Sequence, residues 1–246
     1  AAQFPPTSST MGVFGGGVAS GGVRVSLLDF INISSTGNAV MFGDLTVIRS
    51  GLGACGSSTR GVWGGGTTGS FSNVMDYITF ATVGNATDFG DLLVGLRRNA
   101  GCNSKTRGIF GGGSGYQNTI NYITISTAGN ASDFGDLTVA RYSVSGCSSS
   151  TRGIFAGGFN AGQLSVIDYI TIASTGNATN FGGLTTISTN GSACSSSTRA
   201  VFYICQGSSG ITNTMEYVTI AATGNSLYFG DLTPRSQGTA GGCSNQ

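Results

Sequence analysis

The chain has 246 residues, of which 9% are charged and 43 are glycine, and its formal net charge is +1. This near-neutral balance excludes the basic footprint of a nucleic-acid-binding protein, and no apolar run reaches the ~20 residues of a membrane helix. Histidine is absent, which removes the commonest general base and the commonest metal ligand. The apolar residues recur in strand-like runs, so we expect a folded chain rather than a disordered one.

One pattern recurs, with some variation, five times: an apolar run that ends in glycines in four copies, a run such as Tyr-Ile-Thr-Ile, a Gly-Asn pair, and Phe-Gly-Asp-Leu, which reads Phe-Gly-Gly-Leu in the fourth copy. Self-similarity at about 20–50 residues indicates a solenoid, a propeller or an array. Because no single copy can bury a core alone, we predict one domain over residues 1–246. Its approximate repeats are 11–59, 60–106, 107–151, 152–198 and 199–246.

The fourth copy shows the expected strands most clearly. A small-residue strand from Tyr142 to Ser149 precedes a second strand, Gly153 to Ala156, that ends at a double glycine. A third strand is expected from Val166 to Ala173, with isoleucines on one face and Tyr and Thr on the other. The following pair, Gly176-Asn177, predicts a type II′ hairpin turn into a fourth strand, Ala178 to Leu184. Four short antiparallel strands per unit are typical of one propeller blade.

The two ends of the chain supply complementary parts of a blade. The chain begins just before a second strand, at Ser8-Ser9-Thr10, and ends after a first strand, Gly242-Cys243-Ser244. We therefore expect the C-terminal strand to complete the N-terminal blade, which would close the ring and leave no open sheet edge. The predicted fold class is all-β: a five-bladed β-propeller with four antiparallel strands per blade.

These motifs resemble the kelch repeat, with its double glycine, a tyrosine on the third strand, a tryptophan on the fourth and an arginine before the next unit. Gly157-Gly158, Tyr169 and Phe181 follow that order, with Phe in place of Trp, and Arg49 and Arg141 match the arginine. The wording Tyr-Ile-Thr-Ile-Ala-Ser-Thr-Gly-Asn-Ala-Thr also resembles kelch-like virion proteins of marine tailed phages, such as cyanophages. That resemblance implies an appendage or surface protein of a virion, such as a tail fibre, located on the virion or outside the cell.

Most reactive side chains follow the repeat, which favours structural roles. Arginines precede four of the five second strands, at Arg60, Arg107, Arg152 and Arg199, and carboxylates recur on the third and fourth strands, so we expect hydrogen bonds within and between blades. Five of the six cysteines share one repeat position, where a small, soft residue can fill a tight space; Cys205 is the exception. An odd ring of thiols cannot pair completely, and a zinc site would need four tetrahedral ligands. We predict no catalytic residue, no metal and no cofactor, and hence no enzyme.

The loops differ between copies in two sets, which connect the second to the third strand and the fourth strand to the next unit. In an up-and-down blade both sets emerge on one face, here called the variable face, and such loops often carry function. Aromatic and arginine residues are the usual anchors of recognition. The candidate binding residues are Arg24, Phe71, Arg97, Arg98, Tyr116, Tyr142, Phe159 and Arg235.

The sequence therefore favours a non-enzymatic virion protein whose loop face recognises a host surface or a neighbouring subunit. Its expected partners are other virion subunits and a host cell-surface glycan or protein, with no nucleic acid and no membrane insertion. The first alternative is a lectin-like propeller with several similar shallow sites between blades, which would act by multivalency. The second is a purely structural subunit of an extracellular assembly.

Overall fold

The computed structural model describes residues 10–207 and 210–233, and within them it contains strands and one short 3-10 turn, Ser20–Gly22. Antiparallel sheets are arranged around a ring as a five-bladed β-propeller, which confirms the predicted fold class. No helix in this part of the chain is long and apolar enough to cross a bilayer.

The strands follow one another outward within each blade. Blade 1 contains β1 (Met11–Val18), β2 (Arg24–Asn32) and β3 (Val40–Asp44). Blade 2 contains β4 (Gly53–Gly56), β5 (Arg60–Gly64), β6 (Val74–Thr79) and β7 (Thr87–Asp91). Blade 3 contains β8 (Ala100–Asn103), β9 (Arg107–Gly113), β10 (Gln117–Thr124) and β11 (Ser132–Asp136). Blade 4 contains β12 (Ser145–Ser148), β13 (Arg152–Ala156), β14 (Leu164–Thr171) and β15 (Thr179–Ser188). Blade 5 contains β16 (Ser192–Ser195), β17 (Arg199–Tyr203), β20 (Thr214–Thr219) and β21 (Leu227–Asp231), with a short hairpin of β18 (Gln206–Gly207) and β19 (Gly210–Ile211) between β17 and β20.

Blade 1 has three strands among the described residues. The segment predicted to supply its fourth strand, Gly242-Cys243-Ser244, lies outside the described residues, so closure of the ring by that strand stays a prediction.

The first strands of the blades line the centre of the ring, where β4, β8, β12 and β16 contact one another in sequence. Their small residues allow hydrogen bonds between neighbouring blades. The Ser148 hydroxyl donates to the carbonyl oxygen of Asn103 over 2.8 Å, and the Ser195 hydroxyl donates to that of Ser148, also over 2.8 Å. Polar small residues at this position thus join the blades at the axis.

The repeat cysteines fill the space between a first strand and the second strand of the next blade. A Cβ added at Gly153 would lie 2.8 Å from the Cys102 sulfur, so the thiol occupies the room that glycine leaves. Cys55, Cys102 and Cys147 are buried free thiols. Burial raises the pKa of the Cys55 thiol and of the Cys147 thiol to about 12, so both remain protonated at neutral pH.

The Gly-Asn pairs do not form the predicted two-residue hairpin turns. Residues Tyr169 and Thr179 are the last paired residues of β14 and β15, so a longer loop connects these strands. Gly176 has a φ of 154°, far from the value that a type II′ turn requires. The pair instead contacts the preceding blade: the Gly176 amide donates to Phe134 O over 2.7 Å, and Asn177 Oδ1 accepts from Asp136 N over 3.0 Å.

This contact recurs between blades and explains two of the sequence motifs. The outer-strand amides of Asp44, Asp91 and Gly183 also donate to an asparagine of the next blade, at Asn85, Asn130 and Asn225 respectively. In blades 1 to 4, the glycine of the Phe-Gly motif lies against the glycine of the next Gly-Asn pair, where a Cβ would strike backbone atoms. Together, these two glycines allow neighbouring blades to approach closely.

Buried carboxylates join the blades beneath the variable face. Arg49 Nη2 lies 2.7 Å from Asp76 Oδ2, and Arg141 Nη1 lies 2.8 Å from Asp168 Oδ2, with all four side chains fully buried. In each pair, the arginine ends one blade and the aspartate belongs to the third strand of the next.

The other two described junctions replace this ion pair in different ways. Between blades 2 and 3, Leu96 occupies the arginine position and Asn121 the aspartate position, so both charges are absent together. Between blades 4 and 5, the arginine position is Ser188, and the fully buried Glu216 accepts hydrogen bonds from Thr185 Oγ1 (2.6 Å), from the Thr185 and Thr186 amides and from the Ser226 hydroxyl. Ser226 stands where the other junctions have alanine. Each junction therefore satisfies its buried carboxylate or removes it.

We predict that Gly182→Ala and Gly183→Ala differ sharply although they are neighbours in β15. Gly182 has a φ of 153°, and its Cβ would fall on the carbonyl oxygen of Gly224, whereas the nearest atom to a Cβ at Gly183 is 3.6 Å away. Gly182→Ala should reduce the free energy of unfolding by about 2–4 kcal/mol through backbone strain and overpacking, and Gly183→Ala should not. Denaturant unfolding measures both, and equal stabilities would contradict the blade contact.

We further predict that Arg141→Leu is rescued by Asp168→Asn, because together they reproduce the Leu96 and Asn121 junction. Arg141→Leu alone leaves a buried carboxylate without its cation and should lower the free energy of unfolding by about 3–5 kcal/mol. The double variant should recover most of that loss. A double-mutant cycle in denaturant measures the coupling, and simply additive losses would contradict this account.

Candidate functional site

The two predicted loop sets do emerge together, and backbone hydrogen bonds fix them to each other. In blades 2, 3 and 4, the double glycine that ends the second strand donates to the residue at the end of its own blade: Gly66 N to Leu96 O (2.6 Å), Gly113 N to Arg141 O (2.9 Å) and Gly158 N to Ser188 O (2.8 Å). Since these bonds use main-chain atoms, the loop side chains can vary while the loop path is kept. The repeat glycines thus hold a rigid frame for the variable face.

Between blades the chain turns through a corner that contains a left-handed residue. This residue is Gly51, Arg98, Ser143 or Asn190, with φ between 55° and 72°. The corners are joined in series, because Arg98 N donates to Gly51 O (2.8 Å), Ser143 N donates to Arg98 O (2.9 Å), and the Ser143 hydroxyl donates to Asn190 Oδ1 (2.9 Å).

The non-glycine residues with positive φ in the described chain all lie on the variable face. They are Arg98, Tyr116, Ser143, Ala161 and Asn190. Such conformations are unfavourable for residues with a side chain and tend to cluster at functional sites. Two of the five, Arg98 and Tyr116, are candidate binding residues from the sequence.

Three of the predicted aromatic residues form a row on the variable face. The ring centroids of Tyr116 and Tyr142 lie 5.7 Å apart, and those of Tyr142 and Phe159 lie 5.4 Å apart. Phe71 continues the row, because its ring edge would lie 3.9 Å from a Cβ at Gly115. Phe71 and Tyr116 are 51% and 47% exposed. These four residues, here called the aromatic row, bring together loops of blades 2, 3 and 4.

The aromatic row differs from the aromatic residues of the repeat. Every blade has an edge-to-face pair between its third and fourth strands, such as Tyr169 with Phe181 at 5.9 Å, and those pairs stabilise the blades. The members of the aromatic row have no aromatic counterpart at the same repeat position in another blade. Packing of a blade therefore does not account for them.

The predicted arginines Arg24, Arg97 and Arg98 form the charged part of the variable face. Burial lowers the pKa of Arg97, and the positive charges of Arg98 and Arg24 lower it further. Among the described residues none of the three forms an ion pair, whereas Arg49 and Arg141 do. The remaining candidate, Arg235, lies outside the described residues.

The opposite face carries the repeated arginines, and their contacts are structural. Their guanidinium groups lie over the third-strand tyrosines of the same blade at 4.3–4.5 Å; the pairs are Arg60–Tyr77, Arg107–Tyr122, Arg152–Tyr169 and Arg199–Tyr217. Three of them also reach the next blade, with Arg60 donating to Ile125 O, Arg107 to Ile172 O and Arg152 to Ile220 O over 2.7–3.1 Å.

Two shallow cavities lie among these repeated residues. One, of about 430 Å3, is lined by Lys105, Arg107, Thr151 and Ile172 of blades 3 and 4. The other, of about 340 Å3, is lined by Phe89, Tyr122, Thr124 and Asn130 of blades 2 and 3. They correspond in place to the inter-blade sites that a lectin-like propeller would use.

Three carboxylates of the described chain lie inside the blade junctions. The carboxylates Asp76, Asp168 and Glu216 are fully buried in the blade junctions. Within the described residues, no three or more Cys, Asp or Glu side chains are grouped so that they could hold a metal ion.

Fold and site together define a β-propeller with a constant structural face and a variable face that combines aromatic and arginine side chains. A comparison with protein-family models finds no match to the chain, and a comparison with curated protein sequences finds none either.

Sequence reasoning predicted the candidate residues but missed how their loops are held. The series of left-handed corners was missed, although the recurrence of Gly51 and Asn190, two residue types that tolerate positive φ, at one repeat position was a usable signal. The proximity of Arg24 to Arg97 has no sequence signal, because these residues belong to different blades.

We predict that Arg152→Ala lowers stability without impairing the variable face. The change removes a 2.7 Å hydrogen bond to blade 5 and a contact with the Tyr169 ring, which should reduce the free energy of unfolding by about 1–3 kcal/mol. Thermal melting measures the loss. The control is Lys105→Ser on the same face, which introduces the serine found at Ser58, Ser150 and Ser197. An unchanged melting temperature for Arg152→Ala would contradict the structural role.

Proposed function

We propose that this propeller is a non-enzymatic recognition module whose variable face binds a surface outside the virion or a neighbouring subunit. The observation that carries the proposal is the aromatic row, which joins loops of three blades. Its residues have no aromatic counterpart at the same repeat position in another blade. Exposed aromatic side chains held in fixed positions lose little entropy on binding, which makes them effective anchors.

The frame beneath the aromatic row supports the same function. Main-chain hydrogen bonds from the double glycines and between successive corners hold the loops before any ligand arrives. A surface that is already ordered avoids part of the entropic cost of association. The variable face is thus suited to recognition by a preformed surface.

The virion setting comes from the sequence resemblance to kelch-like proteins of marine tailed phages. In that setting the propeller would be an appendage or surface component, such as part of a tail fibre, and its partners would be host cell-surface molecules and other virion subunits. The absence of histidine and the use of the buried carboxylates in blade junctions are consistent with a binding protein rather than a hydrolase.

A lectin that uses the opposite face is the second candidate. The cavities beside Lys105 and beside Tyr122 favour it, since both are lined largely by residues that recur from blade to blade. This candidate predicts several equivalent weak sites, whereas the aromatic row predicts one site.

The test is binding of the purified protein to a glycan array and to a panel of marine bacterial cells, cyanobacteria included. We expect saturable binding at one site, and we expect Tyr116→Ala/Phe159→Ala to weaken it by at least about tenfold, because each truncation removes an anchor. Tyr228→Ala is the control, since this exposed tyrosine lies on β21, outside the variable loops.

Binding that survives the double substitution would contradict the variable-face proposal and favour the lectin sites. Absence of binding to every glycan and cell, with assembly into larger particles, would favour a purely structural subunit.

A further inference from the structure

The corner between blades 2 and 3, which carries Arg97 and Arg98, is hydrogen-bonded to loops of the aromatic row. Ser114 N, from the loop that carries Tyr116, donates to Arg97 O over 2.8 Å. Ser143 N, next to Tyr142, donates to Arg98 O over 2.9 Å. The same corner therefore fixes both neighbouring aromatic loops and carries two arginines on the variable face.

Among the described residues, no carboxylate forms an ion pair with the arginines of this corner. None of the ten acidic residues of the sequence lies in the variable loops or in the connections between blades. The Nε atoms of Arg24 and Arg97 are buried and have no hydrogen-bond partner. The lowered pKa of Arg97 reflects this burial and the like charges of Arg98 and Arg24. Desolvated guanidinium groups without a carboxylate are suited to an anion supplied from outside.

Rings and cations at one surface select a particular ligand chemistry. The faces of Tyr and Phe pack against the apolar faces of flat or ring-shaped groups, and guanidinium groups bind carboxylate and sulfate groups through paired hydrogen bonds. We propose that the variable face binds an acidic polysaccharide, with sugar rings on the aromatic row and acid groups at Arg97, Arg98 and Arg24. This inference rests on the proposed function of the variable face as a recognition surface.

Other ligand classes fit these observations less well. A neutral glycan that covered this corner would leave Arg24 and Arg97, both half-buried, without a partner, which is costly for partly buried charges. A nucleic acid would need a longer basic track, and the chain has a net charge of only +1.

The experiment compares ligands that differ only in charge. Binding to polygalacturonate is measured against its methyl ester, and binding to dextran sulfate against dextran, so that carboxylate and sulfate are tested separately. Poly-L-glutamate provides charge without sugar rings. We expect the protein to prefer one acidic polysaccharide over its neutral partner by at least about tenfold and over polyglutamate by a similar factor. Binding should weaken when the salt concentration is raised about tenfold.

The repeat itself provides a matched variant. Arg97→Thr/Arg98→Asn replaces the corner with the residues of the equivalent corner, Thr189-Asn190, where Asn190 adopts the same left-handed conformation. The variant should therefore fold, which its melting temperature checks. We expect it to bind the acidic polysaccharide about tenfold more weakly for each arginine removed. Lys105→Ser, which removes one positive charge from the opposite face, should bind like the wild type.

Equal binding to the acidic polysaccharide and its neutral partner, equal binding to polyglutamate, or no effect of the corner variant would each overturn the inference. These failures differ from failure of the proposed function. If the aromatic variant abolishes cell binding while no acidic polysaccharide binds, the variable face recognises a different class of ligand, such as a protein subunit. If the aromatic variant leaves cell binding intact, the proposed function itself fails.

Discussion

The contact between successive blades is the constraint on which this structure depends. At the rim, the outer strands of blades 1 to 4 meet the Gly-Asn pair of the next blade so closely that a side chain is excluded at the Phe-Gly glycine. At the axis, small residues of the first strands and the thiols of Cys55 and Cys102 fill the remaining space. Because a propeller blade is stable only when its neighbours cover it, these contacts account for most of what the five copies share.

The same requirement explains how charge is handled inside the ring. The carboxylate position on each third strand is fully buried at the described junctions from blade 2 to blade 5, and a buried charge without a partner is strongly destabilising. Two junctions supply arginine, one removes both charges, and one surrounds the carboxylate with hydroxyl and amide donors. All three side-chain arrangements occur on the same backbone hydrogen-bonding pattern.

The variable face is free to differ because main-chain atoms hold its loops. Main-chain hydrogen bonds of the double glycines and of the corners fix the loop paths. The side chains of these loops are therefore not needed to hold the fold. Aromatic and arginine residues accumulate at this surface without acidic neighbours in the loops. A rigid frame with blade-specific side chains is the arrangement expected of a recognition surface on a stable scaffold.

The sequence by itself determined the number of blades, the order of strands within a blade and the face on which each loop emerges. These features follow from the repeat length, the two-residue alternation of strands such as that around Tyr169, and the connectivity of antiparallel strands, all of which are local. Only the tertiary structure decided that Asn177 binds the preceding blade instead of closing a hairpin, that Arg152 reaches Ile220, and that Tyr116, Tyr142 and Phe159 form one row. Each of these contacts joins different blades, so it depends on how the blades approach around the ring, and no local pattern in the chain records that approach.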